Sequence, residues 1–175
     1  MSGLADLDAM ERAAVAAARG AGDLLRGFWA ADGQKKDSAF IEFKSATDLV
    51  TEADKRAEAL IMQTLRAACA EVRFLCEESG SSEEPSKGAA VGRWIVDPLD
   101  GTTSFAHGHP HFSVSIAFQD ASGEVVIGVV YGVTLDEMYV ARKGRGASCN
   151  GRPIKVSATT ELIRALIVTG FPTDR

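Results

Sequence analysis

Apolar residues recur at intervals of three and four along the opening stretch of the chain. Between positions 7 and 29 they fall at Met10, Ala14, Ala17, Ala18, Ala21, Leu24, Leu25 and Phe28, which predicts an amphipathic helix despite Gly20 and Gly22. The same period returns over 51–71 through Ala57, Leu60, Ile61, Thr64, Leu65 and Ala68 and predicts a second helix. Beyond it the period changes to two. Short strands are expected at 73–76 and 93–96, separated by a Ser/Glu/Gly loop over 79–92. Phe112, Val114, Ile116 and Phe118 alternate with small or polar residues, Asp120 to Gly123 carries turn chemistry, and 125–133 returns as an apolar strand, which together read as an antiparallel hairpin. Further strands are expected at 137–141 and 154–156 around a turn region over 144–151, and a last apolar strand at 165–169. Helices followed by antiparallel strands indicate an α+β domain with two N-terminal helices packed on a mainly antiparallel sheet. A strand at 165–169 calls for burial on both faces, yet only six residues follow it. The sequence over 1–175 therefore reads as one domain and as the front part of a longer protein.

Composition narrows the partners. With 19 Lys+Arg against 24 Asp+Glu and a net charge of -5, the chain lacks the basic footprint of a nucleic-acid or anionic-membrane binder. At 175 residues it can bury roughly 70% of its unfolded surface, so its core needs no structural metal or disulfide. Cys69, Cys76 and Cys149 are odd in number and form no CxxC pair, which fits a reducing cytoplasm. Asp6 and Asp8 stand where a signal peptide would carry Lys or Arg, and no apolar run approaches the ~18 residues of a membrane span.

The densest chemistry lies in Trp94-Ile95-Val96-Asp97-Pro98-Leu99-Asp100-Gly101-Thr102-Thr103-Ser104-Phe105. Pro98 disfavours the α region for Asp97, so the chain should turn sharply there and can aim both carboxylates and the Leu99 carbonyl one way. Oxygen-only ligands of that kind suit a hard cation such as Mg²⁺. The competing reading is a strand-to-turn junction in which Asp97 and Asp100 merely cap. Gly101 allows close backbone approach, and its amide and that of Thr102 can converge on an anion, with the Thr102 hydroxyl beside a water; a simple Thr cap is the plainer alternative. Glu77-Glu78 follows the strand 73–76, so both acidic groups leave one sheet edge if that strand neighbours 93–96. Taken alone, Glu-Glu reads more often as a solvated loop entry, and Asp54 as a first-turn carboxylate of a helix cap.

Three motifs coincide: Asp48-Leu49-Val50-Thr51-Glu52-Ala53-Asp54, Glu77-Glu78-Ser79, and the run from Asp97 to Phe105. With Gly128-Val129-Val130-Tyr131 and Ala141-Arg142-Lys143-Gly144-Arg145-Gly146-Ala147, they resemble the inositol monophosphatase family along nearly the whole chain. The resemblance implies the front part of an αβαβα sandwich and a Mg²⁺-dependent, lithium-sensitive phosphomonoesterase, cytoplasmic and homodimeric. It implies one metal on Glu77, Asp97 and the Leu99 carbonyl, and a second on Asp97 and Asp100. It further implies that Asp54 and Thr102 activate water, that Glu78 stands behind the ligands, and that Asp100, Gly101 and Thr102 meet the substrate. The expected reaction is hydrolysis of inositol monophosphate by direct water attack. Histidinol phosphate, fructose 1,6-bisphosphate and 3′-phosphoadenosine compounds are the alternative substrates, and a non-catalytic metal- and phosphate-binding module is the rival class. The family's later Trp-Asp motif has no match after Asp100; the one candidate carboxylate, Asp174, is nearly terminal, and the family's C-terminal αβα half is expected to be absent. Lys44 stands one residue nearer Asp48 than the family's loop lysine.

His107, His109 and His111 alternate, but Pro110 breaks the strand that would align them, so they read as lining the approach rather than binding metal. Gly144 to Cys149 lacks the third glycine of a dinucleotide loop and reads as a strand turn.

Overall fold

Asp6 opens the first helix by accepting the N–H groups of Asp8 and Ala9 on Oδ1 at 3.0 and 3.1 Å, two donors that no helical carbonyl can take. The helix that follows, α1 (Leu7–Asp32), buries Met10, Ala14, Ala17, Ala18, Ala21 and Leu25 along the stripe that the spacing predicts. It is followed by β1 (Ile41–Phe43) and β2 (Leu49–Thr51), an antiparallel ribbon, and by α2 (Glu52–Ala68). The remaining elements are β3 (Val72–Cys76), β4 (Ser82–Glu83), β5 (Gly92–Asp100), α3 (Thr102–Ala106), β6 (Ser113–Asp120), β7 (Val125–Gly132), β8 (Glu137–Arg142), β9 (Gly146–Cys149) and β10 (Arg152–Ile154), then a 3-10 turn at Leu162–Arg164. The computed structural model describes residues 6–32, 41–43, 49–80, 82–83 and 91–169. Lys44, Asp48 and Asp174 lie outside them.

The strands from β3 onward form one eight-stranded sheet in the order β10-β9-β8-β7-β6-β5-β3-β4. Every neighbouring pair is antiparallel except β3 with β5. Both long helices pack on one face, α1 over β6 and β7 and α2 over β3 and β5. That face explains the period of two: Trp94 and Val96, then Val114, Ile116 and Phe118, then Ile127, Val129 and Tyr131 point into the helices and are buried. Trp94 and Phe118 meet with ring centroids 5.0 Å apart. Where α1 crosses α2, Gly20 lets the helices close, since a Cβ there would sit 3.2 Å from Leu60. The opposite face of the sheet carries Leu75, Val130 and Tyr139, all exposed.

Three local expectations are corrected. Helix two starts at Glu52 and stops at Ala68, short of 71. The strand expected at 154–156 lies two residues earlier, as β10 (Arg152–Ile154). Residues 165–169 form no strand: Leu166 and Val168 are 93% and 83% exposed. Apolar, β-branched composition favours a strand only where a neighbouring strand and a covering layer exist, and among the described residues no strand pairs with this segment and its apolar side chains stay exposed.

Candidate functional site

Parallel pairing sets Cys76 beside Val96, so the next residues, Glu77 and Asp97, leave the sheet at one edge. The Glu77 amide donates to the Val96 carbonyl at 3.2 Å and carries the ladder one residue further. The neighbouring-strand condition on the two acidic motifs is thus met. β5 does not end at Val96 as expected but runs on to Asp100. Between the pairs Asp97↔Ser115 and Asp100↔Ser113, three steps along β5 face two along β6, which is a bulge. Pro98, which cannot donate to a ladder, falls inside it, and the sharp turn becomes a kink that the strand survives.

The bulge folds the motif onto itself. The Leu99 amide donates to Asp97 Oδ1 at 3.1 Å, and the Thr102 hydroxyl donates to the Leu99 carbonyl at 3.0 Å. The Ser113 hydroxyl lies 3.4 Å from Asp100 Oδ2. Gly101 then turns the chain into α3 in the left-handed region, φ 95° and ψ 35°. A side chain is excluded there twice over, because that conformation disfavours one and a Cβ would stand 2.8 Å from the His111 carbonyl. α3 is held by Phe105, which packs edge-on to Phe112 at 5.0 Å, and Phe112 in turn meets Trp29 of α1 at 5.9 Å.

Electrostatically the edge is acidic. Burial, then the nearby charges of Glu77 and Asp100 and a hydrogen bond to Glu77, push the Asp97 carboxyl up to about 7; the Leu99 amide offsets this only in part. Three carboxyls that crowd one another in an oxygen-only setting fit a hard divalent cation, which would relieve the repulsion that raises Asp97. Among the described residues no three His, Cys, Asp or Glu side chains are grouped so as to hold a metal ion by themselves. Glu77, Asp97 and the Leu99 carbonyl, with Asp100, are the groups able to hold such an ion. His107, His109 and His111 are exposed, and the rings of His109 and His111 stack at 6.2 Å.

A stability consequence follows for the metal-free chain. Asp97 ionises near 3.8 when unfolded and near 7 when folded, so the folded state holds more protons in between. Its contribution to stability is therefore fullest below about 4 and is lost as pH rises to about 7. Asp8, Asp120 and Asp136 shift the other way, below 3.8, and stay ionised throughout the upper part of that window. Thermal unfolding in EDTA should give a higher Tm at pH 5 than at pH 7.5. The reverse order would mean that Asp97 is not crowded as described.

Asp54 lies in the first turn of α2, where a cap carboxylate is expected, and is 2% exposed. Glu58 stands one turn later on the same buried face, 5% exposed, and was not singled out from the sequence. Its Oε2 accepts the Glu78 amide at 2.9 Å and its Oε1 the Ser79 amide at 3.1 Å. It also faces Cys76, whose thiol is pushed up to about 11 by burial and then by the Glu58 charge. The available signal was an acid on the helix face that periodicity reserves for Ala57 and Ile61.

Residues 6–175 match the model of the Inositol monophosphatase family. "Inositol monophosphatase 2" of Solanum lycopersicum is 42% identical over 171 residues, covering 93% of this chain and 59% of the relative. "Nus factor SuhB" of Pseudomonas aeruginosa is 42% identical over 160 residues, covering 91% of this chain and 56% of that protein. The crystal structure of the extragenic suppressor protein suhB from Bartonella henselae matches with a TM-score of 0.74 at 40% identity, covering 86% of this chain and 55% of that one. The structure of inositol monophosphatase from Anabaena (Nostoc) sp. PCC 7120 matches with a TM-score of 0.69 at 34% identity, covering 89% and 52%. The chain thus spans somewhat over half the length of these relatives.

Proposed function

The chain belongs to the inositol monophosphatase family, and from that premise we propose that it carries the metal- and phosphate-binding core of a Mg²⁺-dependent phosphomonoesterase. Its substrate is a small phosphorylated polyol, inositol monophosphate first. The observation that carries the reading is the placing of Glu77 and Asp97 side by side where β3 and β5 pair, with the Asp97 carboxyl raised by burial and then by the charges of Glu77 and Asp100.

Glu77, Asp97 and the Leu99 carbonyl would hold one Mg²⁺, and Asp97 with Asp100 a second. Such cations would supply charge neutralisation of the phosphoryl oxygens, a lowered pKa for a bound water and stabilisation of the leaving alkoxide. Thr102 donates its hydroxyl hydrogen to the Leu99 carbonyl, which leaves its oxygen lone pairs to accept a hydrogen bond from the attacking water. Asp54 takes the proton of that water directly, and Glu78 stands behind the ligands. The amides of Gly101 and Thr102, set by the left-handed turn, orient the phosphate beside Asp100. Water adds to phosphorus as the bond to the alcohol oxygen breaks, and the alcohol leaves with a proton from solvent. Lithium sensitivity, a homodimer and a cytoplasmic setting belong to the same reading.

The test is phosphate release from inositol 1-phosphate, histidinol phosphate, fructose 1,6-bisphosphate and a 3′-phosphoadenosine compound, titrated with Mg²⁺ and repeated with EDTA. Mg²⁺-dependent release, greatest with inositol 1-phosphate, is expected. Cation binding without release from any ester would leave a metal- and phosphate-binding module.

A further inference from the structure

We propose that Glu58 is a positioning residue of this site: from the inner face of α2, its buried carboxylate clamps two successive amides of the turn after β3 and so holds Glu77 against Asp97. The inference rests on the metal-site reading above.

Glu58 places one carboxylate oxygen on each of the Glu78 and Ser79 N–H groups, at 2.9 and 3.1 Å. A carboxylate 95% removed from solvent is costly unless such charge-assisted bonds receive it, so a buried glutamate here is not a default packing choice. Backbone bonds already close the turn on either side, Glu77 N–H to the Val96 carbonyl and Gly80 N–H to the Cys76 carbonyl, both at 3.2 Å. What the clamp adds is the orientation of the peptide planes between them, and these planes aim the side chains of Glu77 and Glu78. It also places a further negative charge behind an edge that already repels itself. That arrangement opposes stability of the empty site and favours a cation. α2 thereby reaches the edge through Glu58, one turn after Asp54.

Glu58→Gln keeps the volume but offers one acceptor oxygen and turns an amide donor toward an N–H donor. The Mg²⁺ concentration for half-maximal turnover should rise by about 10–100-fold, the usual scale for partners that orient metal ligands. kcat at saturating Mg²⁺ should change much less. Mn²⁺ binding followed by electron paramagnetic resonance, without substrate, should weaken by the same factor. Glu58→Asp keeps the charge but draws it back by one methylene and should fall between wild type and Gln. Gln63→Ala, exposed on the outer face of α2, should bind Mn²⁺ normally. A folded Glu58→Gln with wild-type Mn²⁺ affinity overturns the proposal and leaves the metal reading intact. Wild-type protein that binds no Mn²⁺ overturns both. Should neither Glu58 variant fold, hydrogen exchange at the Glu78 and Ser79 amides of the wild-type protein decides: Mg²⁺ must increase their protection, and no increase overturns the clamp.

Discussion

Replacing Asp97 by Asn should reduce Mg²⁺-dependent phosphate release by 10²–10³-fold or more, on the order of the loss when one preorganised electrostatic group is removed from a site. The same substitution should stabilise the metal-free protein. The two effects have one cause. The Asp97 carboxyl is raised to about 7 because burial and the charges of Glu77 and Asp100 oppose its ionisation. An amide of the same shape removes that repulsion, and with it a carboxylate proposed above as a metal ligand. The sign depends on pH. At pH 5 the wild-type carboxyl is protonated and the two proteins should unfold at similar temperatures. At pH 8 it is ionised, and the variant should gain about 2–4 °C for each kcal/mol of repulsion relieved. Calorimetry in EDTA at both pH values, beside a phosphate-release assay, reads the two outcomes. Retained activity would remove Asp97 from the metal ligands; a variant destabilised at pH 8 would mean that the carboxylate is compensated by a partner.

Much of this architecture was legible because one-sided burial leaves a period in the sequence. The stripes of α1 and α2 and the alternation from Val114 to Phe118 each face a single layer, and each folded as its spacing implies. Features that depend on a second element were not legible in that way. That Glu77 and Asp97 share an edge depended on β3 pairing with β5, which the two short apolar runs allowed but did not require. Pro98 announced a break, yet a one-residue bulge absorbs it because β6 supplies a ladder on both sides of the kink. Residues 165–169 carry strand composition but pair with no strand among the described residues, and they are not a strand. Glu58 is the clearest case: its role is to accept amides 20 and 21 residues away. An acid inside an apolar stripe marks an anomaly, but only the tertiary fold names its partner.

Two glycines of α1 should respond to alanine with opposite signs. Helix propensity alone predicts that either change stabilises by about 0.5–1 kcal/mol, since glycine gives up more chain entropy than alanine on entering a helix. Gly27 is exposed, and a Cβ there meets nothing within 4 Å; Gly27→Ala should gain that amount. Gly22 faces the sheet, where a Cβ would fall on the Tyr131 ring, 2.5 Å from Cδ1. The ring cannot step aside. It is fully buried, its hydroxyl accepts from Arg26 at 2.6 Å and Arg19 at 3.2 Å and donates to Asp136 at 2.7 Å, and the Arg19 guanidinium lies 4.7 Å from its centroid. Helix α1 must therefore lift from β7. Overpacking of this kind typically costs about 1–3 kcal/mol, more than the propensity gain, so Gly22→Ala should be net destabilising in urea unfolding. Pairing it with Tyr131→Leu, which removes the obstructing ring carbons, should restore the favourable sign, with a coupling of about 0.5–3 kcal/mol between the sites. Stabilisation by Gly22→Ala in the wild-type background would show instead that α1 and β7 are not in this close contact. The glycine then marks the distance at which α1 seats on the sheet, and Trp29, one end of the aromatic chain that fixes α3, lies two turns further along the same helix.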